Sequence, residues 1–113
     1  MQRKSLLQGD YRECYITGSH KDLDLHHVFH GPRRKAADEW GCWVWLRHDI
    51  HMALHDKDKT LDRQIQQDCQ RAFEAMYGRQ KFMEVFGKSY LTDDEEEDAD
   101  GRVRVDQDAG GVA

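Results

Sequence analysis

The sequence predicts an α+β fold in which two short strands and one helix surround a shared mouth, with more helices behind. Three observations carry this expectation. Two apolar, β-branched and aromatic runs, 23–29 and 42–46, are bounded by Gly31-Pro32 and Gly41. From Thr60 onward apolar residues recur at three- and four-residue spacing, the period of a helix with one buried face. The last twenty-one residues hold nine acids against two bases, and their apolar side chains are only alanines and valines. Such a stretch cannot bury enough area to offset its loss of conformational entropy.

Residues 1–13 are polar and basic (Arg3, Lys4, Arg12) and read as a flexible arm. Cys14-Tyr-Ile-Thr-Gly18 resembles half of a metal knuckle whose second cysteine has become Thr17. Leu23–Phe29 is the first expected strand, and 33–40 a polar helical turn or loop. Cys42–Leu46 is the second strand, with Trp43 and Trp45 on one face and Val44 and Leu46 on the other. All three tryptophans are assigned to the core. A helix is expected from His48 to about Asp56. A longer one begins at Thr60 as its cap, with Leu61, Ile65, Cys69, Ala72, Phe73 and Met76 as its buried stripe. A short helix over 79–86 contributes Phe82, Met83, Val85 and Phe86 and is closed by Gly87.

Charge is unevenly distributed. The net value of −5 divides into −7 for 93–113 and +2 for 1–92, with histidines neutral. A mildly basic body with an acidic appendage suits a nucleic-acid-binding protein, and a second reading gives the tail a protein partner. Three cysteines without framework spacing, and a start lacking an apolar signal region, lead to the expectation of a reducing, cytoplasmic setting with no membrane association.

Six of the seven histidines lie between 26 and 55. His51 and His55 are four residues apart on a helix, so their imidazoles share a face and can hold one divalent ion. Met52 stands where a zincin helix needs Glu, which excludes that protease class. His26 and His27 are adjacent on a strand and point to opposite faces. Taken alone, they are ordinary polar strand residues. With His51 and His55 downstream, one can bind the metal while its neighbour takes a proton from water. The expected metal ligands are His26, His51 and His55, and the catalytic base is His27. His30 and His48 are read as supporting neighbours, and Arg33, Arg34 and Lys35 as a solvated basic surface that would touch nucleic-acid phosphates if the mouth belongs to a nuclease.

These residues resemble the HNH (His-Me finger, ββα-metal) endonucleases. The histidine spelling is similar to that of the colicin-type DNases. The wider run over roughly 11–91, including Leu-His-His-Val-Phe-His-Gly and Phe-Met-Glu-Val-Phe-Gly-Lys-Ser-Tyr-Leu91, resembles small HNH proteins of bacteriophages. The resemblance implies a nuclease domain over 14–91; the acidic stretch over 92–113 lies outside it, and its composition predicts a disordered tail. The resemblance also implies a metal-dependent endonuclease acting on DNA in a bacterial cytoplasm. One divalent ion (Mg, Mn, Zn or Ni) on His26, His51 and His55 would stabilise phosphate charge, and cleavage would leave 5′-phosphate and 3′-hydroxyl ends. The alternative expectation is a non-catalytic zinc-binding module that binds DNA or serves phage assembly. Two departures from the family pattern stand out. The family's middle Asn would fall near Gly41-Cys42, and the chain contains no Asn. The two Cys-x-x-Cys pairs of a structural zinc map to Cys14/Thr17 and Arg47/Ile50, so no structural zinc is expected.

Overall fold

The computed structural model describes residues 4–91. The elements are β1 (Leu23–His27), α1 (Arg34–Glu39), β2 (Trp43–Arg47), α2 (His48–Asp56), α3 (Lys59–Tyr77) and α4 (Arg79–Phe86), with a 3-10 turn at Gly31–Arg33 leading into α1. The fold is α+β. The acidic stretch expected to be disordered lies outside the described residues. No helix among the described residues is long and apolar enough to cross a membrane.

β1 and β2 pair antiparallel, with Leu23 opposite Arg47, Leu25 opposite Trp45 and His27 opposite Trp43. Strand alternation then gives the sheet two different faces. Asp24, His26, Val44 and Leu46 share the inner one, where Val44 and Leu46 are fully buried. Trp43 and Trp45 stack edge-on on the other, 5.8 Å apart. Trp43 is buried and Trp45 half-buried under the Arg12 guanidinium. Trp40 packs instead on Phe73 and Tyr77. β1 is shorter than expected. Val28 still donates to the Cys42 carbonyl, but Val28 and Phe29 have turned into the core and the chain reverses at Gly31, whose φ of 63° suits glycine.

Behind the inner face, Leu54 of α2, Ile65, Cys69 and Phe73 of α3, and Phe82 and Phe86 of α4 form one core with Phe29 and Tyr90. The buried stripe of α3 is rotated from the expected one. It runs Ile65, Gln66, Cys69, Gln70, Phe73, while Met76 is 64% exposed. The two glutamines are buried because they serve chain that lacks regular partners. Gln66 Nε2 donates to the Val28 carbonyl, and Gln70 Oε1 accepts from the Tyr90 amide at 2.7 Å. The cap of α3 also differs: Asp58, not Thr60, accepts from the Leu61 amide.

Residues 4–13, expected as a loose arm, are tied to β2. Ser5 is buried, its hydroxyl donates to the Trp43 carbonyl at 2.6 Å, and Leu6 donates to the Gly41 carbonyl. Gln8 Oε1 accepts from the Trp45 amide and its Nε2 donates to the Glu13 carbonyl. The Cys14 turn sits beside this arm. Gly18 donates to the Cys14 carbonyl, Cys14 to Ser19, and Tyr15 to the Trp45 carbonyl, each at 2.8 Å.

Candidate metal centre

Three elements bring four imidazoles together. β1 supplies His26, the turn after it His30, and α2 His51 and His55. Their ring centroids lie 4.8–5.7 Å apart for the five close pairs. α2 begins directly at the end of β2, so one helical turn separates His51 from His55 and both face the strand. Donor atoms of His26, His51 and His55 all lie within 4.8 Å of one another, as do those of His26, His30 and Asp62. The three expected ligands therefore do assemble, and a second group shares His26.

The atoms of this cluster indicate what fits it. His26 is 2% exposed, and its Nε2 is buried with no hydrogen-bond partner. Such an atom costs about 1–3 kcal/mol unless something occupies it. Burial, with His30 next, lowers the His26 pKa to about 3, so this nitrogen stays a neutral lone-pair donor. His55 is lowered by the same cause, with His51 next. His51 Nδ1 bonds Asp24 Oδ2 at 2.9 Å, which fixes its proton on that side and turns the Nε2 lone pair toward His55. The two Nε2 atoms are 3.1 Å apart. Two imidazoles on one tetrahedral ion place their nitrogens about 3.3 Å apart, so this spacing suits shared ligation.

Asp24 also accepts from His48 Nδ1 at 2.8 Å. The hydrogen bonds from His51 and His48 hold its carboxyl below the ordinary value. His48 is exposed and belongs to neither ligand group. His30 has a larger part than a supporting neighbour, because it binds Asp62 through both carboxylate oxygens at 3.0 and 3.2 Å. Burial raises the Asp62 pKa, but the His30 hydrogen bond and charge outweigh it, and the carboxyl stays ionised more readily than usual.

His27 points away from the cluster, as strand alternation requires, yet both histidines line one cleft of about 500 Å³ with Leu25, Gly31 and Arg34. Its Nε2 bonds Asp38 Oδ1 of α1 at 3.1 Å. The proton therefore sits on Nε2 and the lone pair on Nδ1. Asp38, three residues before Gly41 and on a helix, is the side chain that holds the His27 ring. Arg34 lines this cleft, and both Arg34 and Lys35 line the adjoining one with His27 and Asp38. Arg33 does not join them: its Nε donates to the Phe86 carbonyl at 2.7 Å and anchors the turn to α4.

Asp24, Asp38 and Asp62 are the site residues that sequence reasoning missed. Asp24 had a usable signal, since it lies two residues before His26 on the same strand face. Asp38 and Asp62 had none, because α1 and α3 reach the site only through the tertiary fold. Comparison with family models, with curated proteins and with solved structures finds no significant match.

Proposed function

We propose that this protein is a metal-dependent endonuclease of the HNH type that hydrolyses phosphodiester bonds in DNA. The observation that carries the reading is the unpartnered Nε2 of His26, set among His51 and His55 in the cleft that also holds His27 on its Asp38 support. His26, His51 and His55 would hold the divalent ion, and Asp24 fixes the His51 tautomer that ligation needs. The bound ion supplies positive charge to the scissile phosphate and the departing 3′-oxygen. His27 takes the proton of the attacking water on Nδ1 while Asp38 stabilises the imidazolium that forms. Arg34 and Lys35, exposed beside the cleft, meet the phosphate backbone and make binding salt-dependent.

The test is nicking of supercoiled plasmid with added Mg, Mn, Ni or Zn. Wild type should nick in at least one metal. His27→Ala should lose roughly 10²–10⁴-fold of the rate while its metal affinity, measured by calorimetry, is unchanged. Undiminished nicking by a clean His27→Ala preparation removes His27 as the base. A second reading, a zinc-binding module without catalysis, is favoured by the two further donors, His30 and Asp62, that stand within reach of the cluster. It predicts retained zinc and no nicking in any metal.

A further inference from the structure

We infer that Asp62 is a fourth protein ligand of the metal centre, held in place by His30, so that the ion sits in a three-histidine, one-carboxylate set. This inference rests on the metal-centred reading above and deepens it. The two candidate groups, His26/His51/His55 and His26/His30/Asp62, share one residue. A single imidazole lone pair serves one ion, so the two groups cannot be filled separately, and an ion on His26 has both sets of donors around it. Asp62 Oδ1 lies 4.0 Å from the unpartnered His26 Nε2, too long for a hydrogen bond and wider than the roughly 3.3 Å of two donors on one tetrahedral ion, so ligation requires the carboxylate to close toward His26 by some tenths of an ångström. The carboxylate is 15% exposed and comes from the first turn of α3, which α2 packs against. His30 approaches its two oxygens almost evenly. The pair has the form of an outer histidine orienting a ligating carboxylate.

The set has a consequence for metal choice. Three imidazoles and a carboxylate complete a tetrahedral zinc site, which leaves no position for a phosphate oxygen. A cation that accepts six ligands, such as manganese or magnesium, keeps two positions open on the same four donors. With this set the centre would bind zinc in a closed form and would need a six-coordinate ion to reach a phosphate.

The bland account of His30–Asp62 is an ion pair that pins the turn after β1 to α3. Metal affinity and ligand-field spectra separate the two accounts, because an ion pair alone moves neither. The experiment uses the full chain stripped with chelator, then titrated with Mn²⁺ by calorimetry and with Co²⁺ by visible absorption. Asp62→Asn should weaken Mn²⁺ binding at least about 100-fold and change the Co²⁺ spectrum, and Asp62→Glu should restore part of both. His30→Ala should weaken Mn²⁺ binding roughly 10–100-fold. Circular dichroism of each metal-free variant confirms that it folds. If Asp62→Asn binds Mn²⁺ with wild-type affinity and gives the wild-type Co²⁺ spectrum, the fourth-ligand assignment is overturned. If wild type binds neither metal, the assignment is overturned together with the metal-centred reading. Plasmid nicking by wild type, run in parallel, keeps the two claims apart. Asp62-dependent binding without nicking supports the ligand set and sinks the nuclease. Nicking with Asp62-independent binding does the reverse.

Discussion

The histidine cluster and the Cys14 turn are two places where the sequence is spelled like a metal site, and they are finished differently. At the Cys14 turn the cysteine's amide, carbonyl and sulfur all find partners within the protein. Cys14 is buried, its sulfur accepts from the Arg47 amide at 3.3 Å, and the Thr17 hydroxyl bonds it from the position a second cysteine would hold. Burial pushes the thiol pKa up, but these hydrogen bonds outweigh it and hold it below the ordinary value. The histidine cluster is supported by Asp24 and Asp62 and by a His51–His55 contact, yet it leaves the buried Nε2 of His26 bare. A turn complete in itself is architecture. A cluster whose supports are in place and whose centre is unpaired is a site made for an outside group.

The comparison can be broken most directly at His26. His26→Leu should abolish metal binding and plasmid nicking. The metal-free variant should nevertheless melt above the metal-free parent, because the unpaired nitrogen carries about 1–3 kcal/mol. A lower melting temperature would show that the His26 nitrogen is not the unpaired group described. Asp38→Ala comes next. It should slow nicking about tenfold or more, less than the roughly 10²–10⁴-fold of losing the general base itself, with metal stoichiometry unchanged. Loss of metal binding in that variant would contradict the separation of base and cage.

At the other pole, Cys14→Ala should cost about 1–3 kcal/mol through a small cavity and a lost acceptor for Arg47, with no change in bound metal per chain. A drop in metal content would make the turn part of a site after all. Tyr15→Phe is the smallest change. The Tyr15 hydroxyl donates to Asp68 at 2.8 Å, and its loss should cost about 1 kcal/mol. Burial, with the Asp68 hydrogen bond next, raises the Tyr15 pKa. A pKa raised on folding means that the unfolded chain gives up the proton first. That stability is therefore intact below a pH of about 10 and declines above it. Urea titrations between neutral and alkaline pH should show the decline in wild type and a weaker one in Tyr15→Phe.

The fold was legible where a period or a breaker residue spoke for itself. The span of α2, the span of α4 and the face-splitting of Trp43/Trp45 from Val44/Leu46 all follow from local pattern. The stripe of α3 was misplaced because polarity was taken as a sign of exposure, whereas Gln66 and Gln70 are buried to serve backbone from distant segments. The three clustered imidazoles could be read because six of the seven histidines crowd into residues 26–55 at informative spacing. Their carboxylate supports could not, since 22 acids are spread along the chain and an aspartate gains meaning only when folding sets it beside an imidazole. The same blindness hid the difference between Arg33, spent on the Phe86 carbonyl, and its neighbour Arg34 at the cleft.

The binding of residues 5–8 to β2 also bears on how the protein behaves in concentrated solution. A two-stranded sheet has an outer border on each strand, and the one on β2 would present the Trp43 and Trp45 carbonyls and the Trp45 and Arg47 amides beside two large indoles. Ser5, Gln8, Tyr15 and Cys14 occupy all four groups without forming a third strand. Side chains and turn amides thus shut a seam along which copies of the chain would otherwise zip together. Trimming the first nine residues would expose part of that seam, and the shortened protein should form fibrous or amorphous aggregates long before its metal centre is disturbed.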